Sequence, residues 1–163
     1  GFLFFINRSQ FGFVYHFFSQ VKMGSQMKEI NKKNLGYKII DPNRVKAGFL
    51  DAVEYNYKGQ RDIDITIEQP EFTSVCPMTG LPDFGRIIIE YIPNTKIVEL
   101  KSLKFYLLQY RNVGIFYEHV VNQILNHLVA VVGPKQMKVT GDFTPRGGIT
   151  TRVTARYEGT NEF

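Results

Sequence analysis

Glu99-Leu100-Lys101-Ser102-Leu103-Lys104-Phe105-Tyr106-Leu107-Leu108-Gln109-Tyr110-Arg111-Asn112, continuing through Gly114 and Tyr117-Glu118-His119 to Gly133-Pro134, is the stretch whose periodicity decides the fold. Leu100, Leu103, Leu107 and Tyr110 recur three or four residues apart, which predicts an amphipathic helix ending near Arg111-Asn112. Gly114 breaks the chain. Val120, Val121, Ile124, Leu125, Leu128, Val129 and Val132 then form the broad apolar face of a second helix, stopped by Gly133-Pro134. Two helices joined by so short a connection are expected to pack antiparallel.

Working outward, the period on either side changes to two. Asp62, Asp64 and Thr66 alternate with Ile63, Ile65 and Ile67, the pattern of a half-buried strand. A loop carrying Pro70, Pro77, Gly80 and Pro82 follows, and Arg86 to Ile92 reads as a second strand closed by Pro93-Asn94. The expectation is an antiparallel hairpin with a long connection, a feature often used for function. Beyond the helices, Met137 and Val139, then Ile149, Val153 and Tyr157, predict two closing strands around Pro145-Arg146-Gly147-Gly148. Strand, strand, helix, helix, strand, strand is the order of an α+β domain with both helices on one face of an antiparallel sheet. No GxGxxG motif follows a strand, so the usual dinucleotide-binding fold has no support.

The 163 residues suit one domain with a core that needs neither metal nor disulfide. Hydrophobic content of 44% with 21% charged residues favours neither disorder nor a membrane class. The net charge of +5 is weak evidence for nucleic acid, because Arg8 and Lys22 supply two of those charges in an acid-free stretch before Lys28. Residues 1–22 are rich in Phe, yet Arg8, Gln10, His16 and Gln20 interrupt every apolar run, and none approaches the roughly 20 apolar residues of a membrane span. They also lack the charge-first order and small-residue cleavage site of a signal peptide. Residues 1–26 therefore read as an N-terminal extension, either an unordered tail or a stretch upstream of a start at Met23 or Met27, with residues 27–163 as the single domain. Cys76 is the only cysteine, which excludes an internal disulfide framework and a structural zinc cluster and points to a reducing, cytoplasmic setting. His16, His119 and His127 have no metal-ligand spacing, so no metal is expected.

Four places could carry chemistry. Cys76-Pro77 and Asp83 share a loop dense in hydroxyls and backbone amides, a setting in which a thiolate could form and a nearby acid could deliver a proton; a packed Cys and a solvated Asp explain the loop as well. Lys101 and Lys104 share a helix face able to meet a phosphate, or simply a solvated first turn. Glu118, at the start of the second helix, is either dipole compensation or a carboxylate for the amino-pyrimidine edge of a guanine-like ring. Arg146 with Gly147 and Gly148 is a phosphate-binding turn or a plain β-turn.

Taken in order, these stretches resemble a known family. Glu71-Phe72-Thr73-Ser74 into Cys76-Pro77, Thr79-Gly80 into Pro82-Asp83-Phe84, the hexad Glu99 to Lys104, Arg111-Asn112 with Gly114, and Phe143 to Gly148 are similar to the short, one-module NADPH-dependent 7-cyano-7-deazaguanine reductases of tRNA queuosine biosynthesis. The resemblance implies a tunnelling fold (T-fold), in which subunits join side by side into a homo-oligomeric barrel with active sites between them. It implies that Cys76 forms a covalent thioimide with the nitrile and that Asp83 donates the proton. It assigns Val98, Glu99, Leu100, Tyr117 and Glu118 to the deazaguanine and Lys101, Ser102 and Lys104 to NADPH, two molecules being consumed per turnover; Arg146 and Gly147, from the phosphate-suited turn, are expected to join the cofactor site. Some members carry His where this chain has Tyr117; a phenol donates a hydrogen bond but, with a pKa near about 10, is no cation at neutrality. Two rival expectations are a pterin cyclohydrolase-like enzyme of the same fold, which would need metal-ligand histidines, and a non-enzymatic basic module binding RNA through Lys101 and Lys104.

Overall fold

The computed structural model describes residues 38–159. The expected N-terminal extension, with its alternative starts at Met23 and Met27, lies outside the described residues.

Four strands, β2 (Ile65–Val75), β3 (Pro82–Ile92), β5 (Gln136–Arg146) and β6 (Ile149–Glu158), form an antiparallel sheet in the order β2-β3-β5-β6. Two helices, α1 (Leu100–Leu108, extended by a 3-10 turn at Gln109–Asn112) and α2 (Tyr117–Val132), lie between β3 and β5 in the chain. A second, two-stranded sheet pairs β1 (Ala52–Glu54) with β4 (Lys96–Val98).

Alternation along β3 sorts the faces: Asp83, Gly85, Ile87, Ile89 and Tyr91 are buried, while Phe84 and Arg86 are exposed. The buried set joins Phe72, Met137, Val139 and Phe143 and the apolar sides of both helices in one core. The opposite face is charged, with Arg86 opposed to Asp142 and Asp142 to Arg152, and Glu90 opposed to Lys138. The corresponding ion pairs measure 3.0, 2.9 and 2.7 Å. Both helices therefore cover a single face, the other being too polar to bury.

Hydrogen bonds within the core fix how the helices meet. Tyr106 bonds His127 Nδ1 at 2.8 Å and Tyr110 donates to Gln123 at 3.0 Å, so advancing along α1 retreats along α2 and the helices are antiparallel. Gln123 donates its amide to the Pro42 carbonyl, so its oxygen is the end that accepts from Tyr110. Tyr106 then donates to Tyr110 at 2.9 Å and His127 supplies an Nδ1 proton to Tyr106, which makes the row one-directional.

The first hairpin differs from its expectation. Strand β2 begins at Ile65, not Asp62, and runs on to Val75, while β3 starts at Pro82, so the connection is only Cys76 to Leu81. Pro70 does not end β2 because it falls in the register shift between Gln69 and Phe72 of an edge strand, where a missing N–H breaks no ladder bond. Pro82 is the first residue of its strand for the same reason. The small β1–β4 sheet was not foreseen: three-residue strands are too short to show a period.

Candidate active site

The Cys76–Leu81 connection is a tight turn. Cys76 N–H donates to the Leu81 carbonyl at 2.9 Å, Gly80 N–H donates to the Cys76 carbonyl at 2.8 Å, and Gly80 takes a φ of +73°, a conformation suited to glycine. Thr79 Oγ1 accepts from Leu81 N–H at 3.3 Å, which leaves its own proton to face the sulfur. The thiol is partly exposed. Burial, the largest single influence, pushes it up, and the charge of Asp83 pushes the same way. Hydrogen bonds from the Thr79 hydroxyl and from the N–H groups of Thr79 and Met78 outweigh both and hold it below the ordinary cysteine value.

Asp83 opens β3 with its side chain on the helix-covered face and is only 3% exposed. Tyr117 Oη donates to its Oδ1 at 2.7 Å, and Arg146 approaches the same oxygen at 2.5 Å while also meeting the Pro82 carbonyl. The Tyr117 phenol is pushed up to about 12, first by burial and then by Asp83, with Arg146 opposing, so it keeps its proton near neutrality and remains a donor. Burial works against the charge of Arg146, but Asp83 and Tyr117 prevail and hold the guanidinium above its usual value.

Two local structures aim these side chains. Arg146 pairs with Ile149 across a two-residue turn in which Gly147 and Gly148 have φ of +56° and +82°, the primed hairpin geometry that glycine permits. Tyr117 is stacked on Phe143, centroids 3.8 Å apart and rings 10° from parallel. Phe143 lies over Gly85 and Gly141, where added Cβ atoms would stand 2.8 and 2.7 Å from the ring.

The result is a cavity of about 310 Å³ lined chiefly by Cys76, Asp83, Phe116, Tyr117, Glu118 and Arg146. Of the residues expected from the sequence, the structure thus gathers Cys76, Asp83, Tyr117, Glu118 and Arg146; Gly147 forms the turn beside them. Thr79 and Phe143 had no assigned role, and pattern alone gave no signal, since both act through contacts that only the folded turn and sheet create.

Val98, Glu99, Leu100, Lys101, Ser102 and Lys104 form a separate group that does not line this cavity. Glu99 is the N-cap of α1, accepting from Lys101 N–H at 2.8 Å and Ser102 N–H at 2.6 Å, and those bonds hold its carboxylate below the usual range. Ser102 is buried: its hydroxyl accepts from Asp51 N–H at 2.9 Å and donates to the Glu99 carbonyl at 2.7 Å. Val98 is buried, its N–H donated to Tyr91 Oη at 3.1 Å, whereas Leu100 is exposed. Lys101 and Lys104 are exposed and form no salt bridge with a described residue.

Among the described residues, no group of three His, Cys, Asp or Glu side chains could hold a metal ion, and no helix is long and apolar enough to cross a membrane.

Fold and cavity together define a class, an α+β domain that sets a thiol held below its ordinary value and a buried carboxyl on one cavity. A family model described as QueF-like protein matches residues 82–162. The NADPH-dependent 7-cyano-7-deazaguanine reductase of Chloroherpeton thalassium is 58% identical over 114 residues, covering 70% of this chain and 97% of that protein. Its namesake in Thermoanaerobacter pseudethanolicus is 48% identical over 136 residues, 83% of this chain and 98% of the other. Among solved structures, the apo archaeosine synthase QueF-Like aligns with a TM-score of 0.54 at 25% identity, covering 63% of this chain and 99% of that one. The chain belongs to the NADPH-dependent 7-cyano-7-deazaguanine reductase family.

Proposed function

We propose that this protein reduces the nitrile of 7-cyano-7-deazaguanine to the primary amine of 7-aminomethyl-7-deazaguanine, in queuosine biosynthesis, through a thioimide on Cys76. The observation that carries the reading is the meeting of Cys76 and Asp83 in one cavity, with the thiol already lowered by the Thr79 turn. A nitrile carbon accepts hydride poorly until it is polarised, and covalent capture divides that barrier into easier steps. Cys76 attacks the carbon while Asp83, having taken up the thiol proton, protonates the nitrogen. Tyr117 and Arg146 hold the carboxyl group in place, and Glu118 accepts from the amino-pyrimidine edge of the base. NADPH supplies hydride, in two portions per turnover, and Lys101 and Lys104 meet its phosphates from a turn that Ser102 and Glu99 keep rigid.

The spacing within one chain favours a shared site. Cys76 and Asp83 lie at the start of β3, and β3 leads through β4 to Glu99 at its far end. Nine residue steps from Asp83 to Ile92 span roughly 30 Å, and the return along α1 and its 3-10 turn covers roughly 20 Å. Neither distance can be bridged by one bicyclic base. The two groups therefore serve one substrate only if Cys76 comes from one copy and Glu99 from another, with Val98 and Leu100 beside it. We accordingly propose a homo-oligomeric T-fold barrel built from residues 27–163, with active sites between subunits. The exposed apolar side chains at both ends, Met78, Leu81, Phe84, Phe116 and Ile149 near the cavity and Leu100, Phe105 and Leu108 on α1, suit such contacts. A reducing cytoplasm is the setting this thiol chemistry requires.

Incubation with 7-cyano-7-deazaguanine without NADPH tests the assignment. Intact mass is expected to rise by the mass of the nitrile in the native protein and not in Cys76→Ala; an adduct that survives the substitution defeats it. NADPH oxidation on addition of the nitrile completes the test.

A further inference from the structure

Among the described residues, the hydroxyl of Ser74 is the buried side-chain polar atom left without a hydrogen-bond partner, and Ser74 itself is fully buried. Such a group is destabilising, because water has been taken away and nothing replaces it. Its place in the sheet is next to the chemistry. Ser74 is directly opposed to Asp83 in the β2–β3 ladder, with Phe72 opposed to Gly85 as the next pair on that face. Directly opposed residues project to the same side with Cβ atoms about 4.5–5.5 Å apart. The unpartnered hydroxyl and the buried carboxyl thus stand side by side beneath the helices, two residues before Cys76. Both partners of Asp83, Tyr117 and Arg146, meet Oδ1.

We propose that Ser74 is a positioning residue for Asp83, donating a hydrogen bond to the carboxylate that remains once Asp83 has given up its proton. The inference rests on the reading of Asp83 as proton donor. In that step the Cys76 thiolate sulfur bonds to the nitrile carbon, one π bond of the nitrile breaks toward nitrogen, and the Asp83 proton moves to that nitrogen. The products are a neutral thioimide and a carboxylate. The proton to be transferred faces the nitrile nitrogen and leaves Ser74 nothing to accept beforehand, but the hydroxyl can, by rotating about its C–O bond, donate to the carboxylate after the transfer. The bond to the charged form is the stronger one, so the interaction grows as the reaction proceeds and lowers the barrier. A partner that arrives only during turnover accounts for a fold that buries a hydroxyl unpaired.

Ser74→Ala tests this in single-turnover thioimide formation. The rate is expected to fall about tenfold, the usual weight of one hydrogen bond to a charged group. The melting temperature should hold or rise, because an unpartnered buried hydroxyl has been removed, and the affinity for the nitrile, measured in a Cys76→Ala background, should not change. An unchanged rate, or a loss that accompanies a lower melting temperature, overturns the proposal, since a serine that only packs would behave in those ways. Asp83→Asn is run alongside. If it leaves thioimide formation untouched, the proton-donor reading fails; if it slows the step and Ser74→Ala does not, only the role of Ser74 fails.

Discussion

The two ends of β3 are built by opposite means. At the Glu99 end, the helix cap is organised chiefly by residues within three positions of one another, with Asp51 as the distant residue that meets Glu99 and Ser102. At the Asp83 end, the carboxyl is held by Tyr117, 34 positions on, and by Arg146 from the last hairpin. Local order makes one end a rigid turn with two exposed cations. Long-range order makes the other a site whose chemistry depends on the whole sheet being in place.

The largest effect that would break this contrast is expected from mixing variants. Cys76→Ala and Glu99→Ala should each fall to background alone. Co-refolded in equal amounts they should regain about a quarter of native activity if each site draws on two copies, since a quarter of random neighbours supply both intact halves. No recovery would place the two groups in one chain's site. Tyr117→Phe comes next: it keeps the stack on Phe143 and loses the hydroxyl's contacts with Asp83 and Arg146, so thioimide formation should slow about tenfold with little change in melting temperature. Equal rates would leave the phenol a packing residue.

Thr79→Val sharpens the picture of the thiol. With the hydroxyl gone, the influences of burial and Asp83 are less opposed, the Cys76 titration moves to higher pH, and alkylation by iodoacetamide at pH 7 should slow several-fold. The smallest effect belongs to Glu99. Because its carboxylate is held below the ordinary value of about 4.5, its contribution to stability is complete above that pH and disappears as pH falls through the lower folded value. Glu99→Gln should therefore lower the melting temperature slightly at pH 7, and the two proteins should converge in acid; a difference that persists in acid would remove the cap from the account.

The same contrast explains what could be read from the sequence. The helix pair was legible because its signal repeats within a turn, as in Leu103, Leu107 and Tyr110, although Leu100, counted with them, is exposed; the closing hairpin was legible because two glycines mark its turn. The first hairpin was misjudged at Pro70, where the edge position and the register shift that excuse a proline are properties of the sheet and not of the strand. Within the cavity, Cys76 and Asp83 were visible as chemistry, but the contact of Arg146 with Asp83 crosses 63 positions that no local pattern spans. Ser74 had the right parity, two residues from Phe72, yet a missing partner is visible only once every other contact has been made.

Gly85 and Gly141 carry this dependence into the backbone itself. Two hydrogens stand where methyl groups would meet the Phe143 ring, so the ring settles into a socket in the sheet and Tyr117 settles on the ring. The aim of an acid at the cavity is thus calibrated by a depression in a β-sheet two layers beneath it. A single methyl added at either glycine would act as a shim, tilting a phenol it never touches.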